Sequence, residues 1–427
     1  MSEITKLKLI FFLKFCAEAM FLPFLAIYYK SLGFNAATIG LFLAIPSIIG
    51  ISLSPVYSII CRNIKVTKLI YSIITILNVV CMFLFFQFKT YTPLLVIVIL
   101  LNMFQANNFG VLEGFASVCA NHNHTDYSRV RVFGSIAYVL GLPLSGFITK
   151  ISNFYLASIL TMAFTLTSAI LCFFLHIDNE EHHEKRNIKK LATNKKYLLF
   201  TVFFTLFFGT MNVGDDFFGT YMEELKGFTY DTFSYLWSSF IIVECIVIIF
   251  LYRFKKKFKF RHLYTLAAFC LVIRYFTIAL GAPVPILVIT GLTKGITMGI
   301  HAFLWGQFIV HITGKNNATL AIIVETFIVS VYQAVLKITL GHVIDKTSYY
   351  VFYLILSYAI VIALIFFIII FRNDDYVSMA KKKPRQKKNK DDNSNNQTID
   401  NKENDNKKEN TESSEKLIPI EKEKVAT

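Results

Sequence analysis

Long runs of apolar residues alternate with short polar connections along most of the chain. A helix needs about 20 residues to cross a hydrocarbon core of about 30 Å, and backbone amides in lipid must be satisfied within the segment. The runs predict helical membrane spans near 8–29, 37–60, 68–88, 93–118, 130–149, 154–176, 197–222, 232–252, 262–281, 284–312, 318–341 and 349–371. That makes twelve. Eleven or thirteen stay open, because Pro283, Pro285 and several glycines interrupt the stretch from Leu280 to Gln307.

The spans divide six and six around a polar segment. The pattern predicts an all-α membrane protein of two pseudo-symmetric six-helix bundles, 1–176 and 197–371, joined by a cytoplasmic linker at 177–196. Two six-helix halves of this kind place a solute site between them near mid-membrane. The linker holds His182, His183 and several acids, a set that is better read as a solvated connection than as a metal site. From 372 to 427 the residues are mostly Lys, Asn, Asp and Glu. Such a segment buries no core, and a disordered charged cytoplasmic tail is expected, its basic start Lys381-Lys382-Lys383-Pro384-Arg385 suited to anionic lipid.

Composition agrees with a bilayer protein: 55% of residues are hydrophobic, 15% aromatic, and the mean hydropathy is +0.54. The net charge of +15 changes the picture only through its placement. Ahead of the tail, nineteen Lys and Arg, including clusters at 185–196 and 253–261, fall in segments on the side of the N-terminus, against five on the other side. By the positive-inside rule both termini are cytoplasmic in a multi-pass protein of the cell membrane, and the charge reports topology, with no nucleic-acid partner. The seven cysteines form no CxxC and read as small core hydrophobes. The first apolar stretch is span-length, without the small-residue cleavage site of a signal peptide. The sequons at Asn123, Asn317 and Asn396 fall on the inner side, where glycosylation is not expected.

Charges within the spans need a reason, since each costs about 2.5–3.5 kcal/mol at mid-membrane. The acids are Glu18, Glu113, Asp215, Asp216, Glu244 and Glu325; the bases are Arg131, Arg274, Lys294 and Lys337, joined by His301. Lys14 is close enough to the inner interface to snorkel. Six acids against four bases leave carboxylates without a full-time partner, as a proton carrier requires. Helical spacing gathers the polar groups into stripes: Arg131, Ser135, Tyr138, Leu142 and Ser145; Asn102, Glu113 and Ser117; Asn212, Asp215, Asp216 and Gly219; Lys294, Met298, His301 and Trp305. Gly291, Gly295 and Gly299 form a small-residue seam for close helix packing.

The segment "VLEGFASVCANHNHTDYSRVRVFGSIAYVLG" (111–141) resembles the lactose-permease type of oligosaccharide:proton symporter in the major facilitator superfamily. The resemblance implies that Glu113 and Arg131 bind solute and that Tyr138 stacks on it. "NVGDDFF" (212–218), "VECIV" (243–247), "VIRYF" and "LTKGITMG" resemble its second half, implying charge and coupling roles for Asp215, Glu244, Arg274 and Lys294, with Lys294 as the partner of Asp215. Span 10 departs, with Thr297 and Ile300 at the permease's His and Glu, and "GITMGIHAF" (295–303) resembles phenylpropionate-permease relatives, carrying His301. Val247 replaces an Asn, and a further ion pair between spans 7 and 11 is neutralised as Asn212 and Tyr332. The superfamily's inner loop survives only as "YSIICRNIK".

The leading expectation is a monomeric proton symporter importing a small polar solute, a sugar or oligosaccharide first, a nucleoside or aromatic acid behind it. The proton gradient is its energy source, with no cofactor and no catalytic residue. Glu113, Arg131, Tyr138, Asn102, His301 and Trp305 would bind solute, while Glu244, Glu325 or Glu18 would carry the proton. A drug/proton antiporter is suggested by Gly141-Leu142-Pro143 to Gly146, which partly matches an exporter motif. A transporter-like receptor signalling through the charged tail is a further alternative.

Topology has a direct test. In a cysteine-free background, Lys190→Cys and Lys256→Cys should resist an impermeant maleimide on intact cells and react only after permeabilisation. Labelling of either from outside reverses the assignment.

Overall fold

In a computed structural model the described residues (2–60, 64–105, 108–123, 125, 127–151, 154–175, 191, 193–254 and 258–372) fold into helices. Most of the linker and all but Arg372 of the tail lie outside the described residues. Twelve helical segments are long and apolar enough to cross a membrane. Spans 1 to 6 are Glu3–Ser31, Ala36–Leu53, Lys65–Gln87, Tyr91–Glu113, Arg129–Ile151 and Phe154–Phe173. Spans 7 to 12 are Lys195–Asp216, Tyr230–Phe254, Phe260–Ala279, Val284–Thr313, Leu320–Lys346 and Tyr349–Ile370.

The prolines that left the count open are resolved by position. Pro283 stands just before span 10 and Pro285 within its first turn, where no intrahelical N–H is needed, so Val284–Thr313 runs as one helix. Other predicted helices are interrupted inside. Span 1 breaks at Leu22–Phe24 around Pro23, span 7 widens into a π turn at Thr205–Gly209, and the chain steps at Phe217 before a short helix, Phe218–Lys226. Such breaks at membrane depth are tolerated where the backbone faces protein or a cavity.

The chain forms the two pseudo-symmetric six-helix bundles of the major facilitator fold. In the first, span 1 packs on spans 5 and 6, span 2 on 4, and span 3 on 4 and 6. The second repeats the scheme, with span 8 on 10, span 9 on 10 and 12, and span 7 on 11. Between bundles the main contacts are span 2 with span 11 and span 5 with span 8. Advancing each number by six turns one pair into the other, as pseudo-two-fold symmetry demands.

The described hydrogen bonds, ion pairs and ring contacts that clamp the bundles together cluster at the end distal to the chain termini. Asp345, at the end of span 11, accepts from the backbone N–H groups of Ala36 (2.8 Å) and Ala37 (2.9 Å) in the first turn of span 2. Those amides have no acceptor within their own helix, and the carboxylate also meets the positive end of its dipole. Lys30 pairs with Glu224 at 2.8 Å. Phe24 meets Tyr230 and Phe233, and Phe154 stacks on Tyr230. Gly40 and Gly341 let spans 2 and 11 touch backbone to backbone: a Cβ on the first would collide with the Lys337 carbonyl, and one on the second with that of Ala36.

Removing this cap should loosen the distal closure. Losing a capping carboxylate costs about 1 kcal/mol, about a fivefold shift in a two-state equilibrium. With Cys245 as the only cysteine, Asp345→Ala should therefore raise its labelling rate from the distal face about fivefold. An unchanged rate would mean that the cap does not hold the closure.

Candidate functional site

Between the bundles lies a cavity of about 480 Å³ lined from spans 1, 2, 5, 7, 8, 10 and 11. Span 5 presents Arg131, Ser135 and Tyr138 to it, the i, i+4, i+7 spacing that puts side chains on one helical face. Arg131 donates from Nε to Glu113 Oε1 at 3.0 Å, and its guanidinium lies 4.3 Å from the ring centre of Phe15 on span 1. Acid and base are each about one-third exposed. Arg131 lines the cavity while Glu113 stands outside the lining, and the partial exposure of both means that the pair is not locked in the packing.

The opposite wall carries a denser set. Asp215 accepts from Arg274 Nη1 at 2.6 Å, and Lys294 Nζ lies 3.5 Å from its other oxygen. Arg274, only 1% exposed, is enclosed by the rings of Phe218, Phe240 and Tyr275. The expectation that Lys294 neutralises Asp215 is therefore corrected in rank: Arg274 is the closer partner and Lys294 the second. Lys294 lines the cavity and holds its ammonium 3.8 Å from the ring centre of Trp237.

A second correction concerns spans 7 and 11. The pair lost at Asn212 and Tyr332 is present about one turn further on, as Asp216 and Lys337 at 2.7 Å. Tyr332 shares a hydrogen bond with Thr210 instead. Lys337 also donates to the Leu43 carbonyl of span 2 at 3.1 Å, so a cavity-lining lysine reaches across to the other bundle.

Glu244 lines the cavity and has no cation within 4.0 Å among the described residues. It is held in place by the glycine seam. Gly295 abuts the Phe240 carbonyl and Val243, and Gly299 abuts Val247 and the Glu244 carbonyl, so spans 8 and 10 meet where a side chain could not fit.

The remaining expected residues lie outside the lining. His301 and Trp305 continue the Lys294 stripe, but Phe204 and Phe208 from the π turn region of span 7 pack over them. Trp305 Nε1 donates to Glu325 at 2.6 Å; that carboxylate is fully buried and its other oxygen has no hydrogen-bond partner among the described residues. Asn102 donates to the Val98 carbonyl of its own helix. Lys14 does not snorkel: its side chain is 3% exposed and pairs with Glu18 at 3.3 Å, because span 1 is packed inside the first bundle.

Cys245 lines the cavity, unlike the five buried cysteines. Gln333 and Phe15 are lining residues that the sequence reading did not single out. Gln333 precedes Lys337 by one helical turn, a spacing that identifies it once Lys337 is placed; Phe15 carries no such signal.

The ranking of partners at Asp215 is testable. Arg274→Leu leaves a buried carboxylate poorly compensated and should cost about 3 kcal/mol or more of stability, whereas Lys294→Leu leaves the closer pair intact and should cost less than half as much. Thermal unfolding of the purified variants decides it; equal losses would abolish the ranking, and a larger loss for Lys294→Leu would make Lys294 the principal partner.

The comparisons with known proteins cover most of the chain. A protein of Escherichia coli strain K12 described as a probable 3-phenylpropionic acid transporter is 23% identical over 276 residues, covering 62% of this chain and 71% of that one. Among solved structures, a variant of the nucleoside transporter NupG superposes with a TM-score of 0.76 at 17% identity, covering 87% of this chain and all of that one. A POT family transporter in complex with a thioalcohol-conjugated peptide gives 0.68 at 14%, covering 86% and 96%. The family model of the MFS_1 like family matches residues 4–355, and the chain belongs to that family of membrane transporters.

Proposed function

We propose that this secondary transporter is a proton symporter that moves a small polar organic solute into the cell by alternating access. The observation that carries the reading is Glu244, a carboxylate facing the cavity without an ion-pair partner among the described residues. The charged groups that act on it are Lys294, Arg131 and Asp215. When Glu244 is charged, the acids Glu113, Asp215, Asp216 and Glu244 balance the bases Arg131, Arg274, Lys294 and Lys337. When it is protonated the site carries one net positive charge and attracts an anionic group. One proton moving down 100 mV supplies about 2.3 kcal/mol, enough for a solute gradient of about fifty-fold.

The charge count puts the distal end outside, so this conformation is closed to the exterior. The lining and the closure both come from one chain, which supports a functional monomer. The name of the relative from Escherichia coli favours an organic acid as solute. A sugar is the second reading, favoured by the Glu113–Arg131 pair with Tyr138 close by on span 5.

The test uses proteoliposomes offered 3-phenylpropionate, a galactoside and a nucleoside under an imposed pH gradient. Wild type should accumulate one of them with inward proton movement; outward proton flux would instead mark an antiporter. Glu244→Gln, which imitates the protonated state, should retain exchange of solute but lose at least tenfold in accumulation. If Glu325→Gln or Glu18→Gln shows that phenotype and Glu244→Gln does not, the proton site lies elsewhere.

A further inference from the structure

We infer that Trp237 and Lys294 form a solute subsite for a flat aromatic ring joined by a short tether to a carboxylate. The inference rests on the proposed transport of an organic solute and names its class. Both side chains line the cavity, and the ammonium lies 3.8 Å from the indole centre, the placement of a cation attracted to a π face.

Lys294 is free to accept a different anion. Its contact with Asp215 is 3.5 Å, against 2.6 Å for Arg274, so Asp215 remains neutralised when Lys294 turns away. Arg274 is sealed behind aromatic rings and does not line the cavity, leaving Lys294 as the surplus cation of this trio on the solute side. A ligand carboxylate takes up that charge directly. The ring attached to it then displaces the ammonium from the indole face and stacks there, an exchange of one favourable aromatic contact for another.

The platform is rigid. Phe218, Phe233 and Phe240 surround the indole at centroid distances of 6.2, 5.5 and 5.8 Å. The helices carrying Trp237 and Lys294 are fixed to each other by Gly291, where a Cβ would enter the Phe240 ring, and by Gly295 on the Phe240 carbonyl. A rigidly held indole face with one charge beside it selects planar anions over flexible or neutral solutes.

The chain has only two tryptophans, and Trp305 lies outside the cavity lining, so indole fluorescence reports on the subsite. Purified full-length protein is titrated with 3-phenylpropionate, its neutral amide and 3-cyclohexylpropionate. The acid should quench saturably in wild type and raise the melting temperature. The quench should vanish in Trp237→Phe. Wild type should prefer the acid to its amide, and to the saturated-ring acid, by tenfold or more. Lys294→Gln should bring the acid-to-amide ratio to about one, and Lys294→Arg should restore it; a merely structural lysine would not move that ratio. Should Lys294→Gln fail to fold, the wild-type preferences and Trp237→Phe decide alone.

Absence of a saturable response to the acid, or an acid-to-amide ratio unchanged by Lys294→Gln, overturns the subsite. If another solute is accumulated with protons while the acid leaves Trp237 silent, the subsite fails and the transport reading stands. If the acid binds as described but no solute moves with protons, the subsite stands and the symport reading fails.

Discussion

The Asp215–Arg274 ion pair, 2.6 Å long with its guanidinium closed off from solvent, fixes what the rest of the second bundle can do. A charge at membrane depth is tolerated only with a partner, and a bidentate-capable guanidinium enclosed by aromatic rings is the most permanent partner available. With Asp215 satisfied from behind, Lys294 is left facing the cavity, and Glu244, one helix away, has no base in ion-pair contact among the described residues. The reactive character of the site comes from this unequal division of partners. A wall in which every acid had its own base would hold the helices together and do nothing else.

The two bundles are joined in a way that concentrates movement. Span 2 lies on span 11 and span 5 on span 8, and these symmetry-related seams flank the cavity. Along one of them Lys337 is bound to Asp216 in its own bundle and to the Leu43 carbonyl in the other. The ammonium thus joins the electrostatics of the cavity wall to the seam between the bundles.

Much of the fold was readable because a bilayer enforces it. Twelve apolar runs, the six-and-six division and the location of span 10 behind its two prolines follow from hydrogen-bond satisfaction in lipid, which needs no tertiary knowledge. The Glu113–Arg131 contact was also legible, through the resemblance of residues 111–141 to the lactose-permease type. What failed was partner choice. Arg274 and Lys294 are both bases within reach of Asp215 in sequence terms, and only the aromatic enclosure of Arg274 ranks them. The pair between spans 7 and 11 was missed because a fixed register was applied to helices that meet about one turn further along. His301 and Trp305 sit on the right stripe, yet the π turn of span 7 brings Phe204 and Phe208 over them, a local irregularity with no signature in hydropathy.

Asp345 grips span 2 by its backbone and not by any side chain. Every residue except proline offers the same N–H, so the bond does not depend on side-chain chemistry at positions 36 and 37, where only the tight packing of Ala36 limits size, while position 345 needs its carboxylate. The two halves of the molecule therefore carry unequal constraints at their shared boundary: one supplies a generic surface, the other a single indispensable carboxylate. This one bond of the closure tolerates changes of side-chain chemistry on the span 2 side, and its own strength is set at position 345.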